Sequence, residues 1–309
     1  MSVTVDVLPD PIPPESSELA VASSRHGSRM GLYRRRFMRN KPAVAGLVVF
    51  FILVLAALFG GRLTHWGYTD IDFFSLTQPP SADHWFGTNG TGLDVYAMTM
   101  HGLGRSMVIA ITVSFLTLII AAFLGALAAY LGGLWEKIIL GIVNFLLVCP
   151  SFLLMAIIAQ QTGGNWIWLI VVLTIFGWMG MARVIWQLST SIREHDFISA
   201  ARYMGISGPT VVIRHMIPNI GSLLVVQFIV NIVGTVMSET ALSFLGFGIK
   251  VPDVSLGSLL TAGQSALNVA PWTFFFPAGA LTLLTVSVAL IGDGLRDALD
   301  PNSAAGGRA

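Results

Sequence analysis

Residues 196–218, DFISAARYMGISGPTVVIRHMIP, set small side chains (Ala200, Ala201, Gly205) among larger apolar ones (Phe197, Met204) in an otherwise polar stretch that ends at Pro218. This pattern offers no covalent chemistry. A short helix with small residues at its centre and larger apolar ones beside them fits a groove on another protein, so the chemistry is recognition. Asp196 is expected to cap a first helix by accepting a backbone N–H, Gly205 to end it in the left-handed conformation, and Pro209 to open a second. Phe197, Ala200, Ala201 and Met204 are then expected to share one apolar face. A helix lying in lipid headgroups would show a similar pattern, and the pattern alone leaves both readings open.

Glu239 is the other conspicuous residue, an acid flanked by Ser238 and Thr240 inside a long apolar stretch, where an unpaired carboxylate is costly. It reads either as a gate on a translocation path, with Ser238 and Asn231 beside it, or as a structural acid satisfied by hydroxyls and donors of a neighbouring helix. Other constellations are weak. The six histidines form no H-E-x-x-H and no close pair, Cys149 is the single cysteine, and the G-x-S string at Gly263–Ser265 has no histidine after it. No G-x-x-x-x-G-K-[ST] phosphate loop occurs, so any nucleotide that drives this protein is held by another chain.

The elements that must position these residues are set by a lipid solvent. Of 309 residues 54% are hydrophobic and 11% charged, with mean hydropathy +0.76, too few charges to build a water-facing surface. The net charge of +1 gives no concentrated basic face for a nucleic acid. Residues 1–30, with Pro9, Pro11, Pro13 and Pro14 among serines and acids, read as a disordered tail. The basic run MGLYRRRFMRNKP leads into an uncleaved first anchor at 43–63, followed by a turn-rich extracytoplasmic loop at 64–103. Five more apolar stretches, at 104–131, 137–160, 164–187, 219–247 and 271–292, are each long enough to cross about 30 Å of hydrocarbon. The expected fold is an all-α integral membrane protein of six transmembrane helices. Its core occupies 104–295, with the long loop at 190–218, and short tails lie at 1–42 and 296–309. Placing both termini in the cytoplasm puts every lysine and arginine except Arg62, Arg105 and Lys250 on the inner side. Arg105 is expected to snorkel to the outer interface. Asp293, Arg296 and Asp297 read as a helix-end ion cluster or a second partner contact. Ala121, Gly125, Ala129 and Gly133 recur every four residues and form a packing stripe.

The long loop resembles the coupling motif of the membrane subunits of bacterial ABC importers: E-A-A, three residues, Gly, nine residues, I-x-L-P. Here Ser199, Ala200 and Ala201 are followed by Gly205 and then by His215, Met216, Ile217 and Pro218, with Ser199 in place of the acid and His215 in place of the isoleucine. The runs HWFGTNGTGLDV, RHMIPN, SETALSFLGFG, APWTFFFPAGALTLL and LIGDGLRDALDP resemble the C-type subunit of the dipeptide and oligopeptide permease family, over most of 84–301. Leu93 and Leu256 stand where relatives usually carry Arg and Trp.

The resemblance implies a permease of the bacterial inner membrane that is not itself an enzyme and binds no cofactor. It further implies a heterodimer with a second six-span permease, two cytoplasmic ATPase subunits holding ATP and Mg, and an external binding protein that delivers peptide. Asp196, Ser199, Ala200, Ala201, Met204, Gly205 and Pro218 would receive the ATPase. Relatives also carry glutathione or nickel, and the permease sequence does not decide among cargoes. An ion-coupled secondary transporter with Glu239 as proton carrier is the rival class, though the chain lacks the repeated halves such carriers show.

Overall fold

The computed structural model describes residues 29–299; the proline-rich start and the chain beyond Leu299 lie outside them. Helix α1 (Arg29–Arg39) ends at Asn40, whose extended backbone turns the chain. The Asn40 side chain caps α2 (Lys41–Phe59) by accepting the Ala43 N–H at 3.2 Å, and Pro42 sits in the first turn, where its missing N–H costs nothing. Helix α2 lies against α12 (Trp272–Leu299) at a crossing of small residues. A Cβ on Gly46 would stand 2.8 Å from both the Leu290 Cβ and the Ser287 carbonyl, and Ala43 packs on Gly294. In hydrocarbon, close backbone approach of this kind replaces the hydrophobic effect as the source of helix association.

Helix α3 (Val95–Leu131) runs unbroken for 37 residues, or about 55 Å, well beyond the thickness of a bilayer core. Hydropathy places the start of this span at 104. The helix instead begins at Val95, because the Asp94 carboxylate accepts the Ala97 N–H at 2.7 Å and so nucleates a further two turns outside the apolar run. Helix α3 contributes to five separate buried clusters and is the post around which the other helices pack. Its closest partner is α6 (Trp166–Arg193), along the small-residue stripe: Ala121 and Ala129 are fully buried, and a Cβ on Gly125 would meet the Ala182 carbonyl at 2.5 Å. Gly133 does not belong to that stripe, since the chain turns at Gly132 (φ +64°). Gly125→Val is expected to lower stability by about 1–3 kcal/mol through overpacking, read as a fall in the thermal midpoint of the purified chain in detergent.

The apolar stretch expected to form one span at 137–160 is two helices, α4 (Gly133–Val148) and α5 (Ser151–Gln161), bent by 76°. Pro150 explains the break: it has no N–H to donate, and it drives the preceding Cys149 into extended backbone (φ −65°, ψ 137°). Among the described residues five helices are individually long and apolar enough to cross a membrane, and the bent pair makes a sixth if its halves count as one span. Two short helices, α7 (Asp196–Tyr203) and α8 (Gly208–Val211), follow α6. A π-helical turn (Val212–Met216) and the single turn α9 (Ile217–Asn219) then lead into α10 (Gly221–Phe244). Between α10 and α12, in a segment that reads as plain loop, stands α11 (Leu256–Ser265), started by a reciprocal cap in which Ser255 and Ser258 each accept the other's backbone N–H. Large apolar side chains such as Phe51, Leu58 and Phe145 point outward, whereas buried positions hold Ser, Thr and Ala in quantity, the distribution expected where lipid is the solvent.

Candidate functional site

Helix α7 is pinned at its C-terminal end by Gly205. With φ at +75°, Gly205 adopts a conformation that an L side chain rarely tolerates, and its N–H donates to the Arg202 carbonyl at 3.0 Å. The Ile206 N–H reaches back to the Ala201 carbonyl at 3.2 Å, so the last carbonyls of α7 are satisfied by a full Schellman arrangement, as the sequence predicts for this glycine. The N-terminal expectation fails. Asp196 is the first residue of the helix and makes no side-chain cap; His195 precedes it in extended backbone, and the carboxylate favours the helix only through the dipole.

The apolar face also differs from the expected one. Ala201 and Ile198 are each 1% exposed and join Val211, Val212 and Met216 in a cluster that seats α7 on the body. Phe197, Ala200 and Met204 point away from it, with Tyr203 beside them at 91% exposure. Helical geometry separates the two sets: positions 197, 200 and 204 fall on one stripe and 198 and 201 on another. Ala201 is therefore a foundation of the segment, and Phe197, Ala200, Tyr203 and Met204 form its outward crest. Ser199 is exposed on the flank. Pro218 lies exposed within α9, after a turn in which the Ile217 N–H donates to the Val212 carbonyl five residues back. That widened turn accommodates a proline that can neither donate nor tolerate the carbonyl four residues earlier.

Two arginines fasten this segment to the end of α3. Arg193 Nη1 donates to the Ala129 carbonyl and Arg202 Nη2 to the Tyr130 carbonyl, both at 3.1 Å. The Arg202 guanidinium also lies over the Tyr130 ring, 4.9 Å from its centroid. Glu136 of α4 approaches Arg193 at 3.7 Å and accepts the Trp186 indole N–H at 2.8 Å. The last carbonyls of a helix have no partner within it and carry the negative end of its dipole, so cations placed there are stabilising.

Glu239 is 1% exposed. Its Oε1 accepts from Ser243 Oγ at 2.7 Å and from Ser255 Oγ at 2.6 Å, while Oε2 has no partner among the described residues. Because Ser255 also caps α11, the carboxylate ties α10 to the start of that helix. Ser238 donates to its own Gly234 carbonyl at 2.9 Å, and Asn231 Nδ2 donates to Thr117 Oγ1 of α3 at 2.6 Å. The three polar residues thus bind three different elements.

At the opposite end of the bundle from α7, Arg105 is held by protein partners. It pairs with Asp253 at 2.8 Å, a residue His101 also meets at 2.9 Å, and lies over Trp166 at 4.2 Å, while Tyr68 stacks on His101. This clasp joins α3, the N-terminus of α6 and the loop before α11. Asp253→Asn is expected to weaken it by about 1–3 kcal/mol, the loss of one hydrogen bond to a charged group, and to raise backbone amide exchange in residues 246–255. Nearer α7, Asp297 accepts from Asn40 at 3.1 Å, and Asp293 and Arg296 line a cleft of about 480 Å³ with Ser222 and Gln227; no ion pair joins Asp293 to Arg296.

With this geometry in place, comparison with known families is decisive. The profile described as "binding-protein-dependent transport system inner membrane component" matches residues 121–304, and that described as "N-terminal TM domain of oligopeptide transport permease C" matches residues 28–80. The chain belongs to the first of these families. Among relatives, the oligopeptide transport system permease proteins OppC of Mycobacterium tuberculosis and Mycobacterium bovis are 44% identical over 278 residues, covering 89% of this chain and 96% of each relative. OppC of Bacillus subtilis is 30% identical over 266 residues, covering 86% and 87%. This inner-membrane component is therefore a multi-pass membrane protein of a binding-protein-dependent transport system. Its family match begins in the last turns of α3 and takes in α7, both anchoring arginines, Glu239 and the Asp293–Arg296 cleft.

Sequence reasoning overlooked Tyr203, Arg193 and Arg202 in this inner-membrane component. Tyr203 carries a local signal, since it lies three residues after Ala200 and so on the same side of a helix. The arginines carry none: their partners are 64 and 72 residues away and are backbone carbonyls, which every residue type supplies.

Proposed function

We propose that this chain is one of two permease subunits of an ATP-driven importer that carries peptides inward across the cytoplasmic membrane. Both termini lie in the cytoplasm, and α7 and α8 form the coupling segment on which an ATPase subunit docks. The observation that carries the reading is the crest of Phe197, Ala200, Tyr203 and Met204, an exposed apolar ridge on a helix whose opposite side is seated on the bundle. An interfacial helix buried in headgroups would serve no such seating, whereas a helix held from behind can receive a push. Exposed apolar side chains flanking a small central one suit a groove. The distribution of basic residues supports the orientation. The names of the OppC relatives support peptide as cargo.

In this reading Ala200, Met204 and Ser199 touch the ATPase, Asp196 and Gly205 set the ends of the docking helix, Ala201 seats it, and Pro218 separates it from α10. ATP and Mg are bound on the partner chains, and an external binding protein delivers the cargo. Nucleotide-driven closure of the ATPase pair shifts the permeases between inward-open and outward-open states only through contacts that differ between those states. Reversing a hundredfold bias takes about 5.5 kcal/mol, and the coupling segment is where it enters. Proteoliposomes holding both permeases, the ATPase subunits and the binding protein should accumulate labelled oligopeptide when ATP is supplied. Uptake driven by a proton gradient without ATP would overturn the reading, and ATP-driven uptake of nickel or glutathione but not peptide would correct the cargo.

A further inference from the structure

We propose that Arg202 is a positioning residue for energy transfer, joining the docking helix α7 to the end of α3 so that displacement of α7 moves α3 as a rod. The inference rests on the proposed coupling role of α7. Helix α3 is unbroken from its Asp94 cap to Gly132. At its far end the Asp94 carboxylate that caps it also meets His84 Nδ1 at 2.8 Å, within the loop on the opposite side of the bundle. At its near end the carbonyls of two successive residues, Ala129 and Tyr130, accept from Arg193 and Arg202. A single bond at that point would act as a hinge. Two bonds, one from the last residue of α6 and one from the last turn of α7, fix both position and direction.

The Tyr130 ring completes the joint. It is 8% exposed, carries the Arg202 guanidinium on its face, and is approached from α8 by Gly208, where an added Cβ would stand 2.7 Å from Cε1. The ring is therefore held between the two helices of the coupling segment. Ala201, the neighbour of Arg202, is buried in the same cluster as Tyr130, Val211 and Val212, so no soft loop lies between the crest and the joint. Arg202, exposed like the crest residues, turns Nη2 and the face of its guanidinium onto Tyr130.

The test uses the assembled complex in proteoliposomes with its binding protein, measuring ATP hydrolysis and peptide uptake in the same vesicles. Arg202→Ala should retain the ATPase subunits and continue to hydrolyse ATP, while peptide moved per ATP falls about tenfold, the factor equivalent to losing one hydrogen bond to a charged group. Arg202→Lys keeps one donor for the Tyr130 carbonyl and a cation over the ring, and should restore most of the ratio. Gly208→Ala displaces Tyr130 from the other side, should lower the ratio as well, and decides the matter if Arg202→Ala does not assemble. An unchanged ratio in Arg202→Ala and Gly208→Ala overturns the proposal. So does a parallel fall of hydrolysis, uptake and thermal midpoint, which marks a purely structural cap, or release of the ATPase subunits, which marks a docking residue. Absence of ATPase subunits from the unmutated complex would instead overturn the coupling role itself.

Discussion

Ala200→Arg is expected to strip the ATPase subunits of the proposed importer from the solubilised complex while the permease remains folded and inserted. Ala200 is exposed on the crest of α7, so in the isolated chain an arginine side chain there extends into solvent and disturbs nothing. In the docked state the same side chain occupies space that a partner groove must fill, and its charge is desolvated without a counter-ion. Burying an unpaired charge costs about 3 kcal/mol or more, and hence more than about a hundredfold in affinity. The adjacent substitution gives the opposite outcome. Ala201 is 1% exposed among Ile198, Val211 and Met216, so Ala201→Arg drives a guanidinium into the cluster that seats α7 and lowers the thermal midpoint of the permease itself. Co-purification measured together with thermal stability separates the two. Release without destabilisation for Ala200→Arg supports docking, and retention of the ATPase subunits contradicts it.

Glu239→Ala is expected to destabilise the fold by about 3 kcal/mol or more, since it removes the acceptor of two buried hydroxyls and leaves a cavity. Ser243 and Ser255 both donate to the same oxygen, so Glu239→Gln retains an acceptor for each and places an amide where Oε2 has no partner among the described residues. Its stability should lie within about 1 kcal/mol of the parent, as near-isosteric changes do. Thermal denaturation in detergent, set against peptide uptake in vesicles, then assigns the acid. Uptake that follows stability through both variants makes Glu239 the strut between α10 and α11. Uptake lost in the stable glutamine variant makes it a gate.

The membrane character and most span positions were legible because hydrocarbon imposes a constraint that any window of about 20 residues reports. The break between α4 and α5 was legible too, in Pro150, but the apolar run continues across it and hydropathy alone does not register a bend of 76°. The extra turns of α3 follow from a local cap at Asp94, outside the apolar run. In the candidate site, Gly205 and Pro209 announced their own geometry, whereas composition grouped Ala201 with residues that helical rotation places on another side. The clasp of Arg105 and Asp253 and the anchors of Arg193 and Arg202 join residues 64 to 148 positions apart in the chain, and nothing in the neighbourhood of either partner points to the other.

Photo-crosslinking in living cells from a benzophenone amino acid placed at position 200 tests the coupling role most directly. An adduct with the ATPase subunit, formed at the crest of α7, is the predicted result. Adducts with lipid alone, or with a protein on the outer side of the membrane, would contradict it.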